Sequence, residues 1–323
     1  KLSQQLRIAA ADITGALPTN RVSDHLTVLA EVIVAETVNM AWHQMVERYG
    51  LPEGADEDNK HFAVIAYGKL GGIELGYGSD LDLVFLHDCT SQAPTNGSKA
   101  IGSKQFYIKL SQRIIHIFTT KTLSGDLYEV DMRLRPSGNS GLLVSHIDAF
   151  EEYQSTEAWT WEHQALMRSR CIYGDTPLHQ RFNQVREAIL TRPRELPALK
   201  DDIKTMREKM RKHLNKGNEA HFDLKQDVGG ITDIEFLVQY WVLAHSHQQP
   251  KLAYLSDNLR ILAQLSQYDF ITEEEAQILV ESYLAYRGRG HRLSLADKSA
   301  LDSTQAFSTS RTRIAHIWDE YLR

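Results

Sequence analysis

Apolar and polar positions follow two different periods along this chain, and the period changes twice. Residues 1–13 read as a short helix stopped by Gly15 and Pro18. A second helix is predicted over 24–50, capped by Ser23 or Asp24. Leu26, Leu29, Ile33, Thr37 and Met40 recur at helical spacing there, and Gly50-Leu51-Pro52 ends it. After the polar linker GADEDNK the period shortens. HFAVIAYG (61–68) is an apolar, β-rich run, LDLVFLHD (81–88) is a second strand, and GKLGGIELGYGSD between them is a glycine-dense turn. A helix over 101–118 puts Phe106, Leu110, Ile114 and Ile117 on one face, and LYEVDMRLRP (127–136) is a third strand closed by Pro136. From 148 onward the pattern is helical, with segments at 148–170, 177–190, 198–214, 231–246, 256–268, 273–295 and 305–322. The prediction is an α+β fold. An N-terminal helical segment (1–58) precedes a small mixed β-sheet core (59–175), and a helical bundle (176–323) follows.

Composition narrows the class. A chain of 323 residues has room for about two domains. Its 42% hydrophobic and 24% charged residues are those of an ordinary globular protein rather than a disordered one. The formal charge of −6 lacks the basic excess that a general DNA or RNA binder uses against phosphates. Cys89 and Cys171 form no Cys-x-x-Cys pair, so the expectation is two reduced thiols in the cytoplasm. No uncharged apolar run approaches the ~18 residues of a membrane span, and no signal-peptide layout opens the chain. A start on Lys1 and an end on Arg323 within a helical pattern read as cuts from a longer protein.

The chemistry centres on Ser79-Asp80-Leu81-Asp82-Leu83-Val84-Phe85. Side chains alternate in a strand, so Asp80 and Asp82 point to one face, roughly 7 Å apart along the chain. Two anions on an apolar strand repel and lose hydration, and a hard cation such as magnesium removes both costs. Asp-x-Asp alone is a weak signal, since it also fits a solvated strand end. In LYEVDMRLRP, Tyr128, Val130, Met132 and Leu134 face one way, and Glu129, Asp131, Arg133 and Arg135 the other. Should this strand lie beside the others, Asp131 becomes a third carboxylate. Three carboxylates holding two metals about 3.5–4 Å apart suit in-line displacement at phosphorus. Arg133 and Arg135 are then placed to bind a triphosphate or stabilise charge in transfer, although, taken alone, an exposed face of ordinary Glu–Arg pairs is the better explanation of them. The loop Gly68-Lys69-Leu70-Gly71-Gly72 lets backbone N–H groups approach phosphate oxygens, yet it is neither a P-loop nor a dinucleotide fingerprint.

The order of strand, glycine-rich loop, Ser-Asp-x-Asp, helix, and strand with one inward Asp resembles the nucleotidyltransferase superfamily with a polymerase-β-like core. YGKLGGIELGYGSDLDLVFLHD, YEVDMRLRPSGNSGLLV, EAWTWEHQALMRSRCIYGD and KQDVGGITDIEF resemble the glutamine synthetase adenylyltransferase family, and specifically its C-terminal, AMP-attaching half. The resemblance implies that Asp80, Asp82 and Asp131 are metal ligands and catalytic. It also implies that Gly68, Gly71, Gly72 and Ser79 belong to the nucleotide loop, together with Lys69. It implies ATP as substrate and Mg2+, two ions with Mn2+ as a substitute. It further implies AMP transfer to a tyrosine hydroxyl of glutamine synthetase, with pyrophosphate released. The implied partners are glutamine synthetase, the PII signalling protein, glutamine as effector, and an adenylyl-removing half missing from this chain; nucleic acid and membrane are not among them. Phosphorolytic removal of AMP, uridylyl transfer to PII, and a regulatory PII-binding module with a vestigial site are the rival readings.

Other features carry less. Asp233 and Glu235 in GGITDIEF fit either the acidic start of a helix or, with Lys225, groups presented to an interdomain cleft. Trp159 and Trp161 read as packing, and Arg207, Lys209, Arg211 and Lys212 as a solvated face. None of the 14 histidines has zinc-site spacing.

Overall fold

A computed structural model describes residues 1–123 and 125–323. In chain order its elements are α1 (Leu2–Ile13), α2 (Thr19–Tyr49), β1 (Phe62–Ala66), α3 (Gly68–Gly71), β2 (Leu81–His87), α4 (Ser103–Thr119), β3 (Val130–Asp131) and β4 (Val144–His146). There follow α5 (Ile147–Thr156), α6 (Thr160–Met167), β5 (Arg170–Tyr173), α7 (Thr176–Leu190), α8 (Leu196–Leu214), β6 (His221–Asp223), α9 (Ile231–His245), α10 (Asn258–Gln267), α11 (Glu273–Leu295), β7 (Leu301–Ser303) and α12 (Ser308–Leu322). The expected α+β class is what the chain adopts. Among the described residues no helix is long and apolar enough to cross a membrane.

The sheet runs β3-β2-β1-β5, with β4 also on β2. β1 is antiparallel to β2 and β5, whereas β3 and β4 are parallel to β2 and share its outer edge. Period-two alternation splits the strands between two cores. Val64, Ala66, Leu83 and Phe85 pack against α2 and α4. Ala63, Ile65, Val84 and Leu86 pack against α5, α6 and α7. A third core is built from α8 to α12 around Leu237, Trp241, Leu262 and Leu279.

Several expectations change. The long helix starts at Thr19, a turn earlier than Ser23. Ser23 is buried and accepts a hydrogen bond from Arg287 Nη2 instead of capping. The buried stripe of α2 is Val22, Leu26, Ala30, Val34 and Val38, while Met40 is 52% exposed. A helix apolar on several sides leaves the choice of face to the sheet it covers.

The predicted third strand holds only at Val130–Asp131. The Asp131 carboxylate accepts from the Arg133 backbone N–H at 2.8 Å, and that side-chain bond diverts the chain from the ladder. β4 then takes over the edge of β2. The helix expected over 148–170 is two helices and a strand. Glu162 accepts from Trp159 N–H (2.9 Å) and from Tyr153 Oη–H (2.8 Å), so α6 starts afresh. Arg170–Tyr173 becomes the outer strand beside β1.

Candidate active site

Two short strands make the acidic corner. Leu81 pairs with Val130 and Asp82 with Asp131 in parallel register. Asp80, just before β2, and Asp82 within it alternate onto the same side, at the start of the strand. Carboxylate oxygens of Asp80, Asp82 and Asp131 lie within 4.8 Å of one another, the one such cluster among the described residues. Burial, then the charges of Asp80 and Asp131, push the Asp82 carboxyl up to about 6, with Lys69 and Arg168 opposing. Asp131 goes the other way: hydrogen bonds from Arg133 hold it below the ordinary carboxylate range. Three hard oxygen donors at this spacing, with one anion destabilised by the other two, fit a divalent cation such as magnesium. The local backbone is shaped around them. Gly68 is at φ +56°, and a Cβ there would run into the Asp82 carboxylate.

The remaining loop residues separate into two groups. Ser79 Oγ accepts from Gly76 N–H at 3.1 Å and from Lys69 Nζ at 3.4 Å. Lys69 lies at a cavity wall with an amine lowered to about 8, by burial first and by Lys225 second. Gly71 and Gly72 instead pack under the 168 segment; a Cβ on Gly71 would strike the Arg168 and Ala66 carbonyl oxygens. Arg133 is exposed and pairs with Asp131. Arg135 is buried, donating to the carbonyls of Met132, Asn139 and Gly141, so its guanidinium builds the turn after β3 and is not free for a phosphate.

Behind the loop is a buried ionic network that sequence inspection did not find. Arg168 donates to Glu74 and to Glu235. Glu74 also accepts from Tyr283 Oη–H (2.6 Å) and from the backbone and side-chain N–H groups of Asn258 (3.1 and 3.2 Å). Burial works against the Arg168 charge, yet Glu74 and Glu235 outweigh it and hold its pKa well above the usual value. Arg168 and Glu74 lie inside the quoted motifs, but their pairing spans 94 residues of chain.

The GGITDIEF segment divides its acids. Asp233 is 1% exposed and accepts from Arg207, Arg211 and the Gly229 N–H, a structural clasp. The expected solvated face therefore fails at Arg207, which is fully buried. Glu235 and Lys225 line a cavity of about 370 Å³ together with Gly68, Lys69 and Trp161. A second cavity, of about 280 Å³, meets it at Lys69, Glu74, Lys225 and Arg287 and continues to Ser79. Trp159 and Trp161 are 71% and 37% exposed, so neither is the packing residue expected.

The model of the glutamate-ammonia ligase adenylyltransferase family matches residues 1–185, more than half of the chain and all of the acidic corner. The chain belongs to this family. A GlnD PII-uridylyltransferase model matches residues 198–319, the region of α8 to α12 that contributes Lys225 and Glu235. This member of the adenylyltransferase family is thus a nucleotidyltransferase whose cavity is walled by both matched regions.

Proposed function

We propose that the chain transfers AMP from ATP to a tyrosine hydroxyl of glutamine synthetase, which is the glutamate-ammonia ligase of the family's description. The observation that carries this reading is the convergence of Asp80, Asp82 and Asp131 beside Gly68, a residue of the cavity wall, inside the segment the adenylyltransferase model matches. Asp80, Asp82 and Asp131 would hold the divalent ions, two Mg2+ or Mn2+. Bound there, such ions neutralise phosphate charge and lower the pKa of an attacking hydroxyl. Gly68, lacking a side chain, lets the Asp82 carboxylate lie against the loop. Lys69 and, from the helical region, Lys225 border the second cavity and offer positive charge to the β- and γ-phosphates there, and Ser79 offers a hydroxyl. The tyrosine oxygen attacks the α-phosphorus, the bond to the bridging oxygen breaks, and pyrophosphate leaves with its electron pair. The hydroxyl proton passes to solvent or a carboxylate. Asp131, held below the ordinary carboxylate range by Arg133, is a poor proton acceptor and serves as a ligand. Exposed Arg133 offers positive charge at the rim. Resemblance alone supports regulation by PII and glutamine, an adenylyl-removing half in the same protein, and a cytoplasmic location.

The match of 198–319 to a PII-uridylyltransferase keeps one second reading, UMP transfer to PII. It covers none of the three aspartates. Radiolabelled ATP with purified glutamine synthetase, with and without magnesium, tests the proposal. Label on the synthetase only in magnesium is expected. ADP formed from AMP-modified synthetase and phosphate, without forward labelling, would reverse the direction. UTP outcompeting ATP would favour the second reading.

A further inference from the structure

The 370 Å³ cavity has two unlike ends. One end holds Gly68 and Lys69, beside the acidic corner. The other is walled by Trp161 of α6, Met206 and Met210 of α8, and Phe236 of α9. Its size lies in the range of small-ligand pockets, and such pockets set a few polar groups among apolar walls. Here the polar groups are two amides. Gln164 Nε2 donates to Gln239 Oε1 at 2.7 Å. Gln164 is 3% exposed, and its Oε1 has no hydrogen-bond partner among the described residues. An unpaired buried acceptor is unfavourable, so at a cavity wall it points to a group that arrives later.

We infer that this end is the base subsite of the nucleotide, and that Gln164 Oε1 reads the base by accepting a hydrogen bond from an exocyclic amino group. The inference rests on the AMP-transfer reading and extends it from the phosphates to the base. Trp161 and the two methionines supply flat and adaptable apolar surface for a purine ring. Gln164 does not turn its amide freely, because its Nε2 is engaged by Gln239. Adenine presents an amino group at C6. Hypoxanthine and guanine present a keto oxygen there, which would set acceptor against acceptor and leave both unpaired. Gln164 is therefore a specificity residue, and Gln239 is the positioning residue that orients it. Gly68 joins the subsite to Asp82, so base and reacting phosphate occupy one continuous groove.

The test titrates the 323-residue chain with ATP and with inosine triphosphate in magnesium, by calorimetry, and then runs both in the transfer assay. The unaltered chain is expected to bind ATP about tenfold or more tightly than inosine triphosphate, since 1.4 kcal/mol is tenfold. Gln164→Leu should weaken ATP about tenfold and inosine triphosphate less than about threefold, so the preference collapses. Damage to the fold alone would weaken both nucleotides alike. Gln239→Met leaves Gln164 in place but unheld, and should lower the preference by a smaller factor; it decides the matter if Gln164→Leu does not fold. Equal binding of the two nucleotides by the unaltered chain, or an unchanged ratio in a folded variant, overturns the subsite. A preserved ATP preference without any AMP transfer instead overturns the function and leaves the subsite standing.

Discussion

Two clusters of charge sit within one segment of each other and have opposite characters. At the acidic corner, Asp80, Asp82 and Asp131 crowd together with only the exposed Arg133 paired to one of them. In the network behind the loop, Glu74, Arg168, Glu235, Tyr283 and Asn258 bond to one another, leaving Arg168 Nε and Asn258 Oδ1 without a partner among the described residues. The first cluster works against the fold, as the raised Asp82 carboxyl shows, and so calls for a partner from outside. The second sets its one guanidinium between two carboxylates, and it ties the glycine loop to the helical region. A cluster of like charges with no internal cation among them is a working site, while carboxylates gathered around a buried guanidinium are scaffolding.

The sharpest way to break that contrast is Asp82→Asn. AMP transfer should fall by about three orders of magnitude or more, the scale of losing transition-state charge stabilisation. The melting temperature in chelator should hold or rise, because a repelled anion is removed. A variant that transfers AMP near normally would contradict the role of the corner. Arg168→Met should do the reverse. Removing it strands two buried carboxylates, a loss of about 3–5 kcal/mol in denaturant unfolding.

Acid sharpens the comparison next. Glu235 is lowered, Arg168 outweighing the burial that opposes its charge, so it stays ionised in mild acid. His87, His163 and His291 are each lowered to about 4, chiefly by burial. Between pH 6.5 and 4 these three histidines bind protons in the unfolded chain and not in the folded one, outweighing Asp82, whose raised carboxyl binds one in the folded chain below about 6. Stability should therefore be intact above pH 6.5 and fall as pH drops, by up to about 1.4 kcal/mol per unit for each histidine. Denaturant titrations across that window should show the slope, and a flat profile would contradict the buried, neutral histidines.

A smaller effect is expected from magnesium. At a hundredfold excess over its dissociation constant it should stabilise the unaltered chain by about 2.7 kcal/mol and Asp82→Asn far less. Equal stabilisation of both would place the ion elsewhere. Smallest of all, Arg133→Ala removes an exposed ion pair and should change stability by under about 1 kcal/mol. A large loss would show the corner to be more self-balanced than its geometry indicates.

Asp80 and Asp82 were legible because strand periodicity needs only neighbouring residues. Asp131 was legible as a charged position on a strand facing outward from Tyr128 and Met132. The short strands Val144–His146 and Arg170–Tyr173 were not, since three or four residues carry no period of their own and take their conformation from β2 and β1. Arg135 misled for a related reason: alternation set it beside Arg133, but the chain leaves the ladder after Asp131 and turns the guanidinium onto carbonyls. Glu235 was legible, with Lys225, as a cleft-facing candidate after the Gly-Gly turn, and both line the cavity; Gln164 had no readable signal, being one glutamine among many.

By itself the sequence determined the local alternation that puts two aspartates on one side of a strand, the glycine that lets a carboxylate approach, and the helical character of the second half. Those are short-range consequences of backbone geometry and side-chain shape. Tertiary structure alone decided which charges are paired. Glu74 meets Asn258 across 184 residues, and Gln164 meets Gln239 across 75. Such meetings depend on how three apolar cores settle against each other, and hydrophobic burial sets that without regard to the polar groups it brings together.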